Sequence, residues 1–152
     1  MDILSKLAKS ISNGRGVVGI SLPVRIFEPR SLIERITELW SFAPCFLSQA
    51  AKITNPLKRF KLVLAFVFSG MHMSVSHQKP FNPILGETYE GYYKDGTKIY
   101  VEHVSHHPPI CTYYIVNDNW TMNGSYRFKG GMSGNNLTFS YIGPNNIVFK
   151  DG

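Results

Sequence analysis

Residues 88–104 read TYEGYYKDGTKIYVEHV. Two runs of strand-forming residues, Thr88 to Tyr93 and Thr97 to Val104, flank Lys94-Asp95-Gly96. An Asp-Gly step between two such runs is a hairpin signal, because tight hairpin turns need residues that accept positive φ. More strand-like runs follow at 110–116, 125–129, 137–142 and 147–150. Between them lie Asn117-Asp118-Asn119, Gly130-Gly131 and Gly143-Pro144, all turn chemistry. Consecutive strands joined by short turns predict an antiparallel meander, and Tyr89, Tyr93, Tyr100, Tyr113 and Trp120 make it rich in aromatics.

Upstream of Met71 the texture is helical. Ile3, Leu4, Leu7 and Ile11 recur at helical spacing over 2–12, and Asn13-Gly14 ends that helix. Residues 14–29 read as loop, punctuated by Gly14, Gly16, Gly19, Pro23 and Pro29. Ser31 and Glu34 form a capping box that opens a second helix, with Leu32, Ile33, Ile36, Leu39 and Trp40 on its apolar side and Ala43-Pro44 at its end. A further helix is expected over 46–52. Another starts at Asn55-Pro56 and closes near Gly70. From Leu62 to Phe68 that last helix is apolar all round, which predicts burial. Helices first and strands afterwards give an α+β chain.

The chain has 152 residues, enough for one domain with a core. Its formal charge is +6. The first 70 residues carry ten Lys/Arg and four Asp/Glu, a net of +6, whereas the rest carry six of each. A basic face suits an anionic surface, or simply keeps a protein soluble. Two cysteines, Cys45 and Cys111, are too few for a disulfide scaffold or a four-cysteine zinc site. No apolar run reaches 18 residues and the first residues lack signal-peptide order, so the expected setting is cytoplasmic.

The most unusual local feature is Ser105-His106-His107-Pro108-Pro109. Prolines cannot donate to a central ladder, so the histidine pair belongs at a strand end, a bulge or an edge. There the imidazoles can offer N–H groups to a phosphate. A metal is a poor fit, since His103 and His107 would stand about 13 Å apart on an extended strand at ~3.3 Å per residue. No nucleophile elbow, His-Glu-x-x-His or phosphate-cradling Gly-Lys-Ser/Thr motif is present, so no enzyme is indicated. A second stiff block, Lys79-Pro80-Phe81-Asn82-Pro83-Ile84-Leu85-Gly86-Glu87, precedes the first strand and carries a single cation.

KPFNPILGETYE (79–90) followed by EHVSHHPP (102–109) resembles the lipid-binding domain of the oxysterol-binding protein-related family, and ISLPVRIFEPRS (20–31) agrees with it. The resemblance implies an α+β fold: an N-terminal lid over 1–22, a helical region over 23–78, and the first strands of an incomplete lipid-binding β-barrel over 79–152. It implies a binding and transfer protein, with no cofactor, that holds phosphatidylinositol 4-phosphate and a sterol or phosphatidylserine in a lidded tunnel. The expected headgroup residues are Lys79, Asn82, His106 and His107. An anionic membrane would be visited peripherally, and nucleic acid is not an expected partner. His103 stands where the family has glutamine, and it is not expected to touch the phosphate. The family's later strands and C-terminal region lie outside these residues, so a transfer-incompetent interaction fragment of the same family is the alternative.

Overall fold

A computed structural model describes residues 23–75, 78–133 and 136–151. The expected helix over 2–12 and the expected lid over 1–22 lie outside the described residues. A 3-10 turn, Val24–Ile26, leads into strand β1, Phe27–Ser31. Three helices follow: α1, Leu32–Leu39; α2, Ala43–Ala50; and α3, Pro56–Ser69, which runs on into a 3-10 turn, Gly70–Val75. Strand β2 is Lys79–Phe81. The main sheet comprises β3, Thr88–Tyr92; β4, Lys98–His106; β5, Pro109–Val116; β6, Trp120–Ser133; β7, Asn136–Ile142; and β8, Asn145–Phe149.

The helix boundaries follow local chemistry with two exceptions. Asn55 caps α3, its side chain accepting the Lys58 N–H at 3.0 Å, and Pro56 fills the first turn. Ser31 stands at the start of α1, but its side chain makes no capping bond. It is also the last residue of β1, paired with Phe81, so the strand geometry decides its backbone. Pro44 opens α2 rather than closing α1, which ends at Leu39. Its fixed φ and missing N–H are harmless in a first turn.

Parallel pairing of β1 with β2 was not expected from a stretch read as loop. It is sealed by stacked rings of Phe27 and Phe81, 4.8 Å apart. Buried Glu28 ties β1 to α1, touching Arg35 at 3.0 Å and accepting from Arg30 at 3.1 Å. Both arginines also reach Glu38 on α1.

In the main sheet the Lys94-Asp95-Gly96 turn forms as expected. Gly96 has φ +86°, the Tyr93 N–H donates to Thr97 O at 2.8 Å, and the Thr97 N–H donates to Asp95 Oδ1 at 3.1 Å. Two other expected turns are not turns. Gly130 and Gly131 lie inside β6, paired with Phe139 and Thr138. Gly143-Pro144 interrupts what is otherwise one strand. From the pair Arg127/Ile142 to the pair Gly124/Asn145, both strands advance by three residues. Thus β7 and β8 lie end to end along the same edge of β6 and keep one register, and the sheet has five positions, β3-β4-β5-β6-(β7, β8). No residue is inserted at Gly143-Pro144, so the chain does not reverse. Here Pro144 breaks the ladder, and Gly143 lies so close to Ser125 that a Cβ would fall 2.0 Å from the Ser125 carbonyl oxygen. Among the described residues the sheet is open, with no closed barrel.

One face of the sheet carries the core. Ile99 and Val101 of β4, Cys111, Tyr113 and Ile115 of β5, and Trp120 and Met122 of β6 pack with Ile33, Ile36 and Trp40 of α1 and its end, Ala43 and Leu47 of α2, and Phe66 of α3. The strict alternation along β4, with 99, 101 and 103 buried and 98, 100 and 102 exposed, is that of a half-buried antiparallel strand. Two polar atoms are satisfied across the interface. Trp120 Nε1–H donates to Ser48 Oγ at 3.0 Å, and the Tyr93 hydroxyl donates to Thr37 O at 2.8 Å.

The expected burial of α3 is not what the structure shows. Phe66 is buried, but Leu57, Phe60, Leu64, Val67 and Phe68 are exposed, Phe60 by 60%. Only the strip carrying Phe66 reaches Trp40, with ring centroids 5.7 Å apart. An all-apolar sequence fits burial on every side, but α2 and Trp40 supply cover on one side. The aromatics after residue 88 are likewise split. Tyr113 and Trp120 fill the helix-side core, while Tyr92, Tyr100 and Tyr114 are exposed. Among the described residues no helix is long and apolar enough to cross a membrane.

Candidate functional site

The histidine pair sits where β4 passes into β5. Strand β4 ends at His106, β5 starts at Pro109, and the connecting His107–Pro108 peptide is cis. Ser105 Oγ–H donates to the Pro108 carbonyl at 2.8 Å across this turn. The rings of His106 and His107 meet edge to face, with centroids 4.9 Å apart.

A β-bulge aims the pair. His103 pairs with Cys111, but Ser105 pairs with Ile110 and His106 with Pro109. Two steps along β4 thus match one step along β5, so β4 holds one extra residue at Val104. In a regular strand residues 103 and 106 point to opposite faces. The extra residue shifts the alternation and turns His106 to the face that already carries His103. Their rings stand edge to face at 5.3 Å, and His103 Nε2 lies 3.1 Å from His106 Nδ1. The other nitrogen of His103, Nδ1, is 3.2 Å from Cys111 Sγ. His103 is fully buried, and burial, reinforced by the neighbouring His106, pushes its pKa below the ordinary histidine value despite the opposing charge of Glu87. Burial, with Glu87 adding to it, pushes the Cys111 thiol up to about 12, so it stays protonated. The sequence gives no sign that His103 meets His106. The signal it lacked was the bulge, because Val104 looks like any other strand residue.

Lys79 and Asn82 form the other expected pair. Lys79 Nζ donates to Asn82 Oδ1 at 2.8 Å and to the Pro80 carbonyl at 3.2 Å, and stands 4.8 Å from the centre of the Phe27 ring. Partial burial lowers the pKa of this ammonium from the ordinary lysine value. The pairing of β1 with β2 therefore holds Lys79 over an aromatic face, where Asn82 orients it.

The two pairs belong to neighbouring pieces of backbone. After Asn82 the chain turns at Gly86, whose φ is +80°, with the Glu87 N–H donating to Ile84 O at 3.0 Å and the Ile84 N–H donating to Glu87 Oε2 at 2.9 Å. That turn docks on the bulged strand. The Gly86 N–H donates to His103 O, and the His103 N–H donates to Glu87 O, both at 2.9 Å. The structure therefore brings Lys79 onto Asn82 and His106 onto His107, and it joins the two segments through the backbone of His103. Among the described residues there is no cluster of three or more His, Cys, Asp or Glu able to hold a metal ion.

Comparison with known proteins gives this arrangement a context. The family model described as Oxysterol-binding protein matches residues 3–152. Oxysterol-binding protein 9 of Dictyostelium discoideum is 36% identical over 153 residues, covering 99% of this chain and 36% of the relative. Oxysterol-binding protein-related protein 8 of Homo sapiens is 34% identical over 97% of this chain and 17% of its own length. Among solved structures, the Osh3 ORD of Saccharomyces cerevisiae in complex with PI(4)P superposes with a TM-score of 0.85 at 28% identity, over 99% of this chain and 40% of that one. The Osh1 ORD domain in complex with ergosterol gives 0.82 at 31% identity, over 90% of this chain and 33% of that one. The chain therefore spans well under half the length of these relatives. With a family model over almost its whole length, and with the helix layer, open antiparallel sheet and two motif blocks described above, this chain belongs to the oxysterol-binding protein family.

Proposed function

We propose that the chain binds lipid without catalysing a reaction, and that its headgroup site takes the phosphate of phosphatidylinositol 4-phosphate. The single observation that carries this is the bulge-aimed His106 beside His107, in a chain that superposes on a relative solved with PI(4)P. A phosphate wants several N–H donors and positive charge in a confined place. His106 and His107 supply donors from a short turn, and Lys79, pre-oriented by Asn82, supplies charge. A turn already fixed by proline and by the Ser105–Pro108 bond gives up little entropy when an anion arrives.

A sterol is the second lipid in this reading, supported by the ergosterol and cholesterol complexes of the Osh1 relative. Phosphatidylserine is the other candidate. In the same reading residues 1–22 are the lid, 23–78 the helical region and 79–152 the first barrel strands. The excess of basic residues before position 71 favours peripheral contact with anionic membranes in the cytoplasm.

The test is extraction of labelled phosphatidylinositol 4-phosphate from liposomes by the purified chain. Wild type should extract it, and the His106→Ala/His107→Ala double variant should not, while sterol binding is kept. Loss of both lipids together in the double variant overturns the assignment of the histidines to the headgroup. The exposed apolar strip of α3 favours a second reading, in which these residues serve as an interaction module of the family and transfer nothing. Folded wild type that extracts no lipid supports that reading.

A further inference from the structure

His103 and Cys111 are buried polar groups to which the proposed headgroup site gives no role, and they touch that site through one nitrogen. We infer that His103 is a positioning residue for His106: it donates from Nε2 to His106 Nδ1, and so leaves the His106 proton on Nε2, the nitrogen free to meet an anion. The inference rests on the reading of His106 as a headgroup residue.

A neutral imidazole has one donor and one acceptor nitrogen. His103 is neutral at physiological pH, since burial and His106 both disfavour its charge and only Glu87 favours it. Its two nitrogens have one neighbour each, Cys111 Sγ at 3.2 Å and His106 Nδ1 at 3.1 Å. Cys111 is a protonated thiol, so its S–H points at His103 Nδ1, and the basic imidazole lone pair is a better acceptor than a thiol sulfur. That leaves Nε2 as the donor nitrogen of His103. His106 Nδ1 must then accept, and its own proton is confined to Nε2. The geometry exists only because of the extra residue at Val104, which turns both rings to one face. A glutamine at 103 has a side-chain N–H that can replace the donor, whereas an aliphatic residue of similar size cannot.

NMR of the full chain labelled with 15N-histidine reads which ring nitrogen holds each proton, and the chain has only five histidines. At pH 7.5 the wild type should show His103 and His106 both protonated at Nε2, with coupling across the hydrogen bond between His103 Nε2 and His106 Nδ1. His103→Leu should abolish that coupling and mix the His106 tautomers. It should also weaken binding of soluble short-chain phosphatidylinositol 4-phosphate about fivefold, one net hydrogen bond's worth. His103→Gln should restore both the single His106 tautomer and the affinity. Cys111→Ala tests the same chain of bonds from its far end and should mix the His103 tautomers, whereas Cys111→Ser keeps a donor and should not. A proton found on His106 Nδ1, or a His106 signal unchanged in His103→Leu, overturns the inference. A His106 signal that shifts while phosphate affinity stays constant overturns the headgroup role of His106 and leaves its dependence on His103 standing.

Discussion

Helices α1 and α3 both give side chains to one core, yet they relate to solvent in opposite ways. Helix α1 has eight residues with polar Glu34, Arg35 and Glu38 among its apolar ones, and it buries Ile33 and Ile36 almost completely. Helix α3 has fourteen residues, is far more apolar, and buries only Phe66. The difference teaches that hydrophobicity measures what a helix would gain from cover, whereas patterning records which side the cover is on. Polar residues on α1 mark its outer face, engaged by the Glu28–Arg30–Arg35–Glu38 ion cluster. No such mark exists on α3 between Leu62 and Phe68, so its covered side was not readable.

Four changes break or sharpen that comparison. Ile36→Ala should have the largest effect, destabilising by about 2–5 kcal/mol in a urea titration, because it opens a cavity between α1 and the sheet. A loss under about 1 kcal/mol would mean that α1 is no better seated than α3. Gly124→Ala loosens the sheet beneath α1. A Cβ there would sit 2.5 Å from Tyr113 Oη and 2.6 Å from Asn145 Oδ1, two atoms that hydrogen-bond each other across the glycine. Overpacking of this kind costs about 1–3 kcal/mol, and it should lower the melting temperature.

The third change is acid. The hydrogen bond from Arg35, together with the charges of Arg30 and Arg35, holds the Glu38 carboxyl below its ordinary value of 4.5. A depressed folded pKa contributes stability that is complete above 4.5 and is lost as the pH falls through the lowered value. Glu38 is partly exposed, so the contribution is small and screened by salt. Thermal melts from pH 6 to pH 3 should show a steeper loss in wild type than in Glu38→Gln, and parallel curves would remove the ion cluster from the account of α1. The smallest effect belongs to α3. Phe60→Ser at an exposed site should change stability by no more than about 0.5 kcal/mol. A large loss would show that the apolar strip is covered in solution, and sedimentation of the wild type would then reveal by what.

What could be read from the sequence depended on whether a signal was local. Asn55-Pro56 and Lys94-Asp95-Gly96 each complete their geometry within a few residues, and both form as expected. The pairing of β1 with β2 joins segments fifty residues apart and includes Pro29, so nothing near Phe27 announces it. Gly130-Gly131 and Gly143-Pro144 show that turn-forming residues permit a reversal without requiring one. The register along β6 decided both cases, and register is not written locally. At the candidate site the residue types of Lys79, Asn82, His106 and His107 were legible from their motif blocks. The bulge at Val104, and with it the approach of His103 to His106, was not, because one extra residue has no composition of its own.

The bond from Trp120 to Ser48 spans 72 positions, and the one from Tyr93 to Thr37 spans 56. Both close the helix layer onto strands made later, which has a consequence in time rather than in space. A ribosome adding about 5–20 residues per second finishes α2 roughly 4–14 s before Trp120 exists to pack against it. During that interval α2 has no sheet to cover it, and a helix of eight residues is marginal in water without such cover. Folding of this chain is therefore completed from its C-terminal side. The bonds that tie the helix layer to the sheet join residues far apart in sequence, so they close late in folding.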